Sequence, residues 1–386
     1  MRIKKITDYT LIVFVLLLTA CKKNVPAPAD YASPSSFGQI FEDFWLRMNT
    51  GYVYWDIDTT DWDNMYKIYK PLFANLDSKN NKDIYTSLTY FRQMTAGLID
   101  GHYSISFNQS PIAGTLIHPA SDRKLTDPSF HIPFEYMQID SGYLDKGYTT
   151  GSFITSAGQR MTALCGNIHG NIVYFHCDRF ALQQAYEANN ANPVKMALQY
   201  VFDKLKQGAS VKGFVIDVRN NPGGDVNDLN FFIGHFINAP LPWGFTRAKS
   251  GSGRLAYTPW IRTEIKPQSD SAATPVHVVI LADNYSVSLA EATAMAVHTM
   301  SKGVFVGETT WGATGPLTTE EVYNDGQFLV GDFLSVYTSS VEFRYIDGKS
   351  YESIGFPPDV HVPFDTVALH AGHDPALETA LSVIGN

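Results

Sequence analysis

Two segments decide what this chain can fold into. "GFVIDVRNNPGGDVNDLNFFIGHFI" from Gly213 and "VHVVILADNYSVSLAEATAMAV" from Val276 each run from a short apolar stretch through a loop into a helix-like pattern. A strand that is apolar on nearly every residue has both faces buried, as in a parallel sheet covered by helices. The alternation continues: "GNIVYFHC" precedes the helical "PVKMALQYVFDKLKQ", and "SLAEATAMAVHTM" leads into "GVFVG". These segments predict an α/β (α+β) core over residues 166–386, with functional groups at the strand ends.

The rest of the chain has a different texture. "FGQIFEDFWLRM", "WDNMYKIYKPLFANL" and "KDIYTSLTYFRQMTAGL" place apolar residues at three- and four-residue intervals, which predicts a small helical bundle over 37–102, with Asp61 and Asp63 as candidate caps. Residues 103–165, including "HIPFEYMQI" and "GSFITSAG", read as a β-rich segment broken by Gly, Pro and Ser. At the N-terminus, Arg2, Lys4 and Lys5 precede the apolar "LIVFVLLLTA", a signal peptide over 1–20 that is too short to cross a bilayer comfortably. It ends at "LLTAC", so Cys21 is the expected lipidated residue, followed by a Pro, Ala and Ser-rich tether over 21–36. The alternative is an ordinary cleaved signal with a chance cysteine. Lys22 and Lys23, where surface-exported lipoproteins often carry acids, point to a cell-envelope lipoprotein on the outer membrane facing the periplasm.

Composition excludes some partners. A net charge of -9 argues against nucleic acid, which rewards basic surfaces. Cys165 and Cys177 are the two cysteines beyond Cys21; they are open to either a disulfide or two buried thiols. No zinc-type ligand set or His-Glu-x-x-His occurs, so neither metal nor other cofactor is expected.

Three places carry candidate chemistry. In "RNNPGG", Gly223 and Gly224 let backbone N–H groups converge on one cavity, a geometry suited to an oxyanion hole or simply to a strand-to-helix turn. In "NYSVSLAEA", Ser286 and Ser288 sit at a helix N-terminus, where a serine is a natural cap but also an exposed hydroxyl. In "LIDGHYS", His102 lies between helix-like and strand-like segments. A serine hydroxyl is a poor nucleophile until a base takes its proton, which makes such a histidine relevant.

"GFVIDVRNNPGG", "NYSVSLAEA", "GETTWGATG" and "YESIGFPPDV", in that order and with "LIDGHYS" upstream, resemble the C-terminal processing peptidase and tricorn-core family of serine peptidases. "FEDFWLRMNTGYVYWDIDTTDWD" is similar to the N-terminal helical region of its lipoprotein members. The resemblance implies a crotonase/ClpP-like α/β peptidase core. It also implies Ser288, three positions before Glu291, as nucleophile, leaving Ser286 a structural role. It places Gly223, Gly224 and the Leu289 N–H at the oxyanion hole. One branch of the family uses a lysine as base, but that position is Ala313 here. The tricorn-like branch uses a histidine and a glutamate, matching His102 as base and Glu352 as its orienter; the serine that precedes the histidine there is Gly101 here. Residues 105–165 lack the carboxylate loop and glycine pattern of the family's PDZ module. The resemblance thus implies a lipid-anchored serine peptidase acting through an acyl-enzyme on a peptide or protein substrate. A decayed peptidase fold that binds peptides, or hydrolysis of a non-peptide ester or amide, is the alternative.

Overall fold

The computed structural model describes residues 35–269, 271, 276–317 and 327–385; the expected signal peptide, Cys21 and all but the last two residues of the tether lie outside them. Helix Phe37–Gly51 starts at Ser36, whose hydroxyl accepts the Gln39 N–H, and buries Phe37, Ile40, Phe41, Phe44 and Met48 along one stripe. Helix Trp62–Ala74 is capped by Asp61, which accepts the Asn64 N–H at 2.9 Å, and helix Asn81–Thr95 by Asn80.

These helices do not form a bundle of their own. Their apolar stripes share one core with Ile105, Phe107, Ile117, Val330, Leu334 and Val336. Those residues belong to a four-stranded antiparallel sheet of Ser104–Phe107, Leu116–Ile117, Gln327–Val330 and Leu334–Tyr337. A boundary at 102/103 therefore cuts through a single hydrophobic cluster. The boundary at 165/166 also moves, because strands Thr149–Ile154 and Arg160–Ile168 extend the main sheet. "HIPFEYMQI" forms no strand; it is an irregular strap that ends in the short helix Met137–Asp140.

The main sheet has seven strands, in the order 360–361, 303–307, 277–282, 213–217, 172–177, 160–168 and 149–154. The first five are mutually parallel, and the last two are added antiparallel. Alternate residues of each strand face opposite layers. Val173, Phe175, Phe214, Ile216, Val278 and Ile280 pack with helices Pro193–Lys206, Asn227–Ile233 and Leu289–Thr299. Tyr174, Val215, Val279, Leu281 and Val306 pack with the C-terminal helix Pro375–Gly385. Burial on both faces is why these strands read as continuous apolar runs. Cys165 and Cys177 sit on neighbouring strands as free, buried thiols, and burial pushes both up in pKa.

Candidate active site

At the C-terminal ends of the parallel strands, two loops meet. The loop after strand His277–Ala282 carries Ser286 and Ser288, and the loop after strand Gly213–Asp217 carries the glycine turn. Ser286 is fully buried; its hydroxyl donates to Val218 O at 2.7 Å and accepts the Asp283 N–H at 3.0 Å. It is a structural brace. Ser288 is partly exposed and holds φ +58°, ψ −115°, a conformation an L-residue keeps only when its surroundings enforce it, at a cost of about 1–3 kcal/mol. The enforcement is visible. The preceding Val287 N–H donates to Asn221 O at 2.9 Å, and the Ser288 N–H donates to Glu291 Oε2 at 2.9 Å.

Gly223 packs against this turn. A Cβ there would lie 2.9 Å from Leu289 N and from Ser288 Cβ, and its φ of +93° independently favours glycine. Its N–H is not available to a ligand, however: it donates to Asn221 Oδ1 at 2.8 Å. This corrects the expectation that both glycines donate. Gly223 admits the close approach, whereas the N–H groups of exposed Gly224 and of Leu289 take part in no hydrogen bond among the described residues. Gly224 is fixed through its neighbours, since Phe180 N–H donates to Gly223 O at 2.9 Å and Asp225 N–H to Phe180 O at 3.1 Å.

Two buried carboxylates brace the site. Glu291 Oε1 accepts from Thr310 Oγ1 and Gly312 N, both at 2.6 Å, and Oε2 accepts from Ala313 N at 2.8 Å besides Ser288 N. Glu352 Oε2 accepts from Thr314 N at 2.7 Å, Gly315 N at 3.0 Å and Tyr54 Oη at 3.0 Å, while Oε1 accepts the Gly101 N–H at 2.6 Å. The turn 310–315 thus links the Ser288 turn to the residue before His102. Burial and the nearby Asp100 push Glu352 up to about 8, against the pull of its Gly101 and Thr314 donors.

Glu352, expected to orient the imidazole, holds the backbone of the histidine segment through the Gly101 N–H and makes no hydrogen bond to the ring among the described residues. Among the described residues the enclosed His102 Nδ1 has no hydrogen-bond partner, and no hydrogen bond joins the ring to the Ser288 hydroxyl. Burial lowers the His102 pKa, partly offset by Asp100, which favours the neutral imidazole. Asp100 is itself held by Thr338 Oγ1 at 2.7 Å, Ser339 N at 2.8 Å and Ser339 Oγ at 2.9 Å, and it accepts the His102 N–H at 2.9 Å. Gly101 and Ala313 touch: a Cβ on Gly101 would lie 2.5 Å from the Ala313 Cβ. The positions where relatives were expected to carry a serine or a lysine thus face each other here as two small residues.

Several contributors were not read from the sequence. Asn221, inside "RNNPGG", knots the glycine turn to Cys177 O and Val287. Lys124 reaches in from helix Pro119–Lys124, donates to Ser353 O at 2.9 Å and lies 5.1 Å from the Phe130 ring. Burial lowers its pKa while Glu291 and Glu352 pull the other way. Beneath the glycine turn, Arg219 is enclosed by Asp140, Asp217 and Asp374. Asp140, His176 and Asp217 are spaced as metal ligands would be, but the guanidinium already supplies the positive charge among the carboxylates.

The same arrangement of segments is shared with known proteins. Residues 171–362 match peptidase family S41, and residues 33–81 match the tricorn protease C1 domain. The chain belongs to peptidase family S41. Among its S41 relatives, carboxy-terminal processing protease CtpA of Bacillus subtilis (strain 168) is 28% identical over 155 residues, covering 40% of this chain and 29% of that protein, less than a third of the relative's length. The S41 fold extends beyond the matched segment. A candidate peptidase from Parabacteroides merdae ATCC 43184 superposes with a TM-score of 0.67 at 20% identity, over 91% of this chain and 97% of that one. Mature CPAF in complex with lactacystin gives 0.60 at 11% identity over 91% and 99%.

Proposed function

We propose that this protein is a lipid-anchored serine peptidase that cleaves peptide bonds through an acyl-enzyme on Ser288. The observation that carries the reading is the strained Ser288 turn packed on Gly223, with two unengaged N–H groups, Gly224 and Leu289, beside it. In this reading His102 takes the Ser288 proton as the hydroxyl attacks the scissile carbonyl, then returns it to the leaving amine. The two N–H groups receive the developing oxyanion, a contribution of about 10²–10³ in rate for each donor. Glu352 acts through the Gly101 N–H to hold the histidine segment, and Asp100 supplies the nearby negative charge that steadies the imidazolium. Substrate closure brings Ser288 and His102 into contact, since catalytic hydrogen bonds often tighten only with substrate bound. Cys21 supplies the anchor, with the chain on the periplasmic side of the outer membrane.

A second reading, a peptide-binding protein with a silent site, draws on the missing Ser288–His102 hydrogen bond. Treatment of the purified protein with a fluorophosphonate probe separates them. The peptidase reading expects labelling that Ser288→Ala abolishes and His102→Ala slows at least a hundredfold. Absence of labelling in the wild type, or labelling that survives Ser288→Ala, rejects it.

A further inference from the structure

A cleft of about 570 Å³ lies between helices Leu182–Glu187 and Asn227–Ile233 and the loop 266–269, and neither Ser288, His102 nor Gly224 lines it. Two aromatic side chains take part in its lining, Phe231 and Tyr186, whose rings pack 5.4 Å apart. Four amides accompany them: Gln183, Asn227, Asn230 and Gln268. The cleft is built into the fold. Asp228 fastens its two helices together by accepting the Leu182 N–H at 2.5 Å and the Gln183 N–H at 2.8 Å, and the His235 ring in its wall is stacked 3.7 Å from Phe202.

Each amide is engaged at one end. Asn230 Oδ1 accepts the Lys266 N–H at 2.8 Å, which leaves its Nδ2 hydrogens as donors. Gln183 Nε2 donates to Glu187 Oε1 at 2.8 Å, Gln268 Nε2 to Asn230 O at 3.1 Å and Asn227 Nδ2 to Asp225 Oδ1 at 3.0 Å. The three carbonyl oxygens of those side chains, and the Tyr186 hydroxyl, take part in no hydrogen bond among the described residues. No lysine or arginine is in the lining, and its carboxylate, Glu187, already accepts from Gln183. Lys195 lies 6.0 Å from the Tyr186 ring but outside the lining, where it donates to Ala188 O at 2.9 Å.

The open groups set the chemistry of an occupant. An anion brings only acceptors and would face Glu187 and three carbonyl oxygens; a cation brings only donors and would face the Asn230 amide hydrogens. A hydroxyl donates and accepts at one atom, so a neutral ligand with several hydroxyls satisfies both kinds of group. A sugar ring adds an apolar C–H face to lie on aromatic carbon, and the volume is ordinary for a small-molecule site. We propose that this cleft binds a neutral di- or oligosaccharide, independently of the chemistry at Ser288.

Saturation-transfer NMR on the full chain tests it, with maltose, cellobiose and N,N′-diacetylchitobiose as probes, a doubly blocked Ala-Gln dipeptide as a neutral peptide and cadaverine as a cation. At least one disaccharide should bind with a Kd of about 0.1–10 mM, with transfer strongest to its ring C–H protons. Asn230→Asp keeps the acceptor for Lys266 and removes the outward donor, and Gln183→Met removes a carbonyl at similar length. Each should weaken binding about tenfold or more, with urea midpoints reporting that both chains stay folded, while Ser288→Ala binds as wild type does. No disaccharide binding at about 20 mM overturns the proposal, as does binding that both cleft substitutions leave unchanged. Tighter binding of the dipeptide or of cadaverine than of every disaccharide, lost in the same two variants, overturns it in favour of a peptide or a cation.

Discussion

Replacing Glu291 by Gln tests how the Ser288 turn is held. The side chain is completely buried, and all four of its neighbours donate: Thr310 Oγ1, Gly312 N, Ala313 N and Ser288 N. Glutamine has nearly the same shape but replaces one acceptor oxygen with an NH2 donor. If the NH2 takes the Oε2 place, the Ala313 and Ser288 N–H groups both lose their acceptor. If it takes the Oε1 place, the Thr310 hydroxyl can rotate to accept, but the Gly312 N–H is orphaned. At least one buried donor is unsatisfied in either case, at about 1–3 kcal/mol each, and the remaining bonds lose their charge assistance. Relief from burying a charge offsets part of this, since burial raises the Glu291 pKa against its donors. The expected net loss is about 2–4 kcal/mol, read from the urea midpoint at unchanged slope. Fluorophosphonate labelling should slow, because the Ser288 N–H either loses its acceptor or keeps a weaker, neutral one beside an orphaned Gly312 N–H. A variant within about 0.5 kcal/mol of wild type, comparable to an ordinary surface change, and labelled at the wild-type rate would refute the reasoning.

The lowered His102 pKa sets the pH profile: the neutral base persists below its ordinary value of about 6.5, so the acidic limb of kcat/KM should have its midpoint under that value. The same sign applies to folding, because the unfolded chain takes up the proton first as pH falls through about 6.5, and a midpoint above 7 would exclude His102 as the base. Gly101→Ser should destabilise by about 1–3 kcal/mol through the Ala313 contact, and Ala313→Gly should recover part of that loss. Strictly additive effects in this double-mutant cycle would show that the contact is not the cause.

Local pattern made the parallel core legible, because strands such as Gly213–Asp217 and His277–Ala282 are almost wholly apolar and end at loops with special residues. The partition of the remainder was not legible. The four-stranded sheet joins residues 104–117 to 327–337, a pairing that no local window contains. The "HIPFEYMQI" strap alternates like a strand, yet Phe130, His131 and Phe134 pack against Trp311, Tyr285 and Phe364 without pairing as a strand. At the site, Ser288, Leu289 and Gly224 could be placed from motif order. The donor from Gly101 to Glu352 could not, since it is a backbone N–H and leaves no mark in residue identity.

The arginine under the glycine turn also bears on when the site matures. Arg219 requires Asp140 and Asp374, which lie 79 residues before and 155 residues after it. Asp374 in turn caps the final helix by accepting the Ala376 and Leu377 N–H groups at 3.0 Å. A buried guanidinium short of one counter-charge is strongly disfavoured. The corner that presents Gly224 is thus locked only after nearly the whole chain has been synthesised, so a nascent or truncated chain carries its serine without a finished corner.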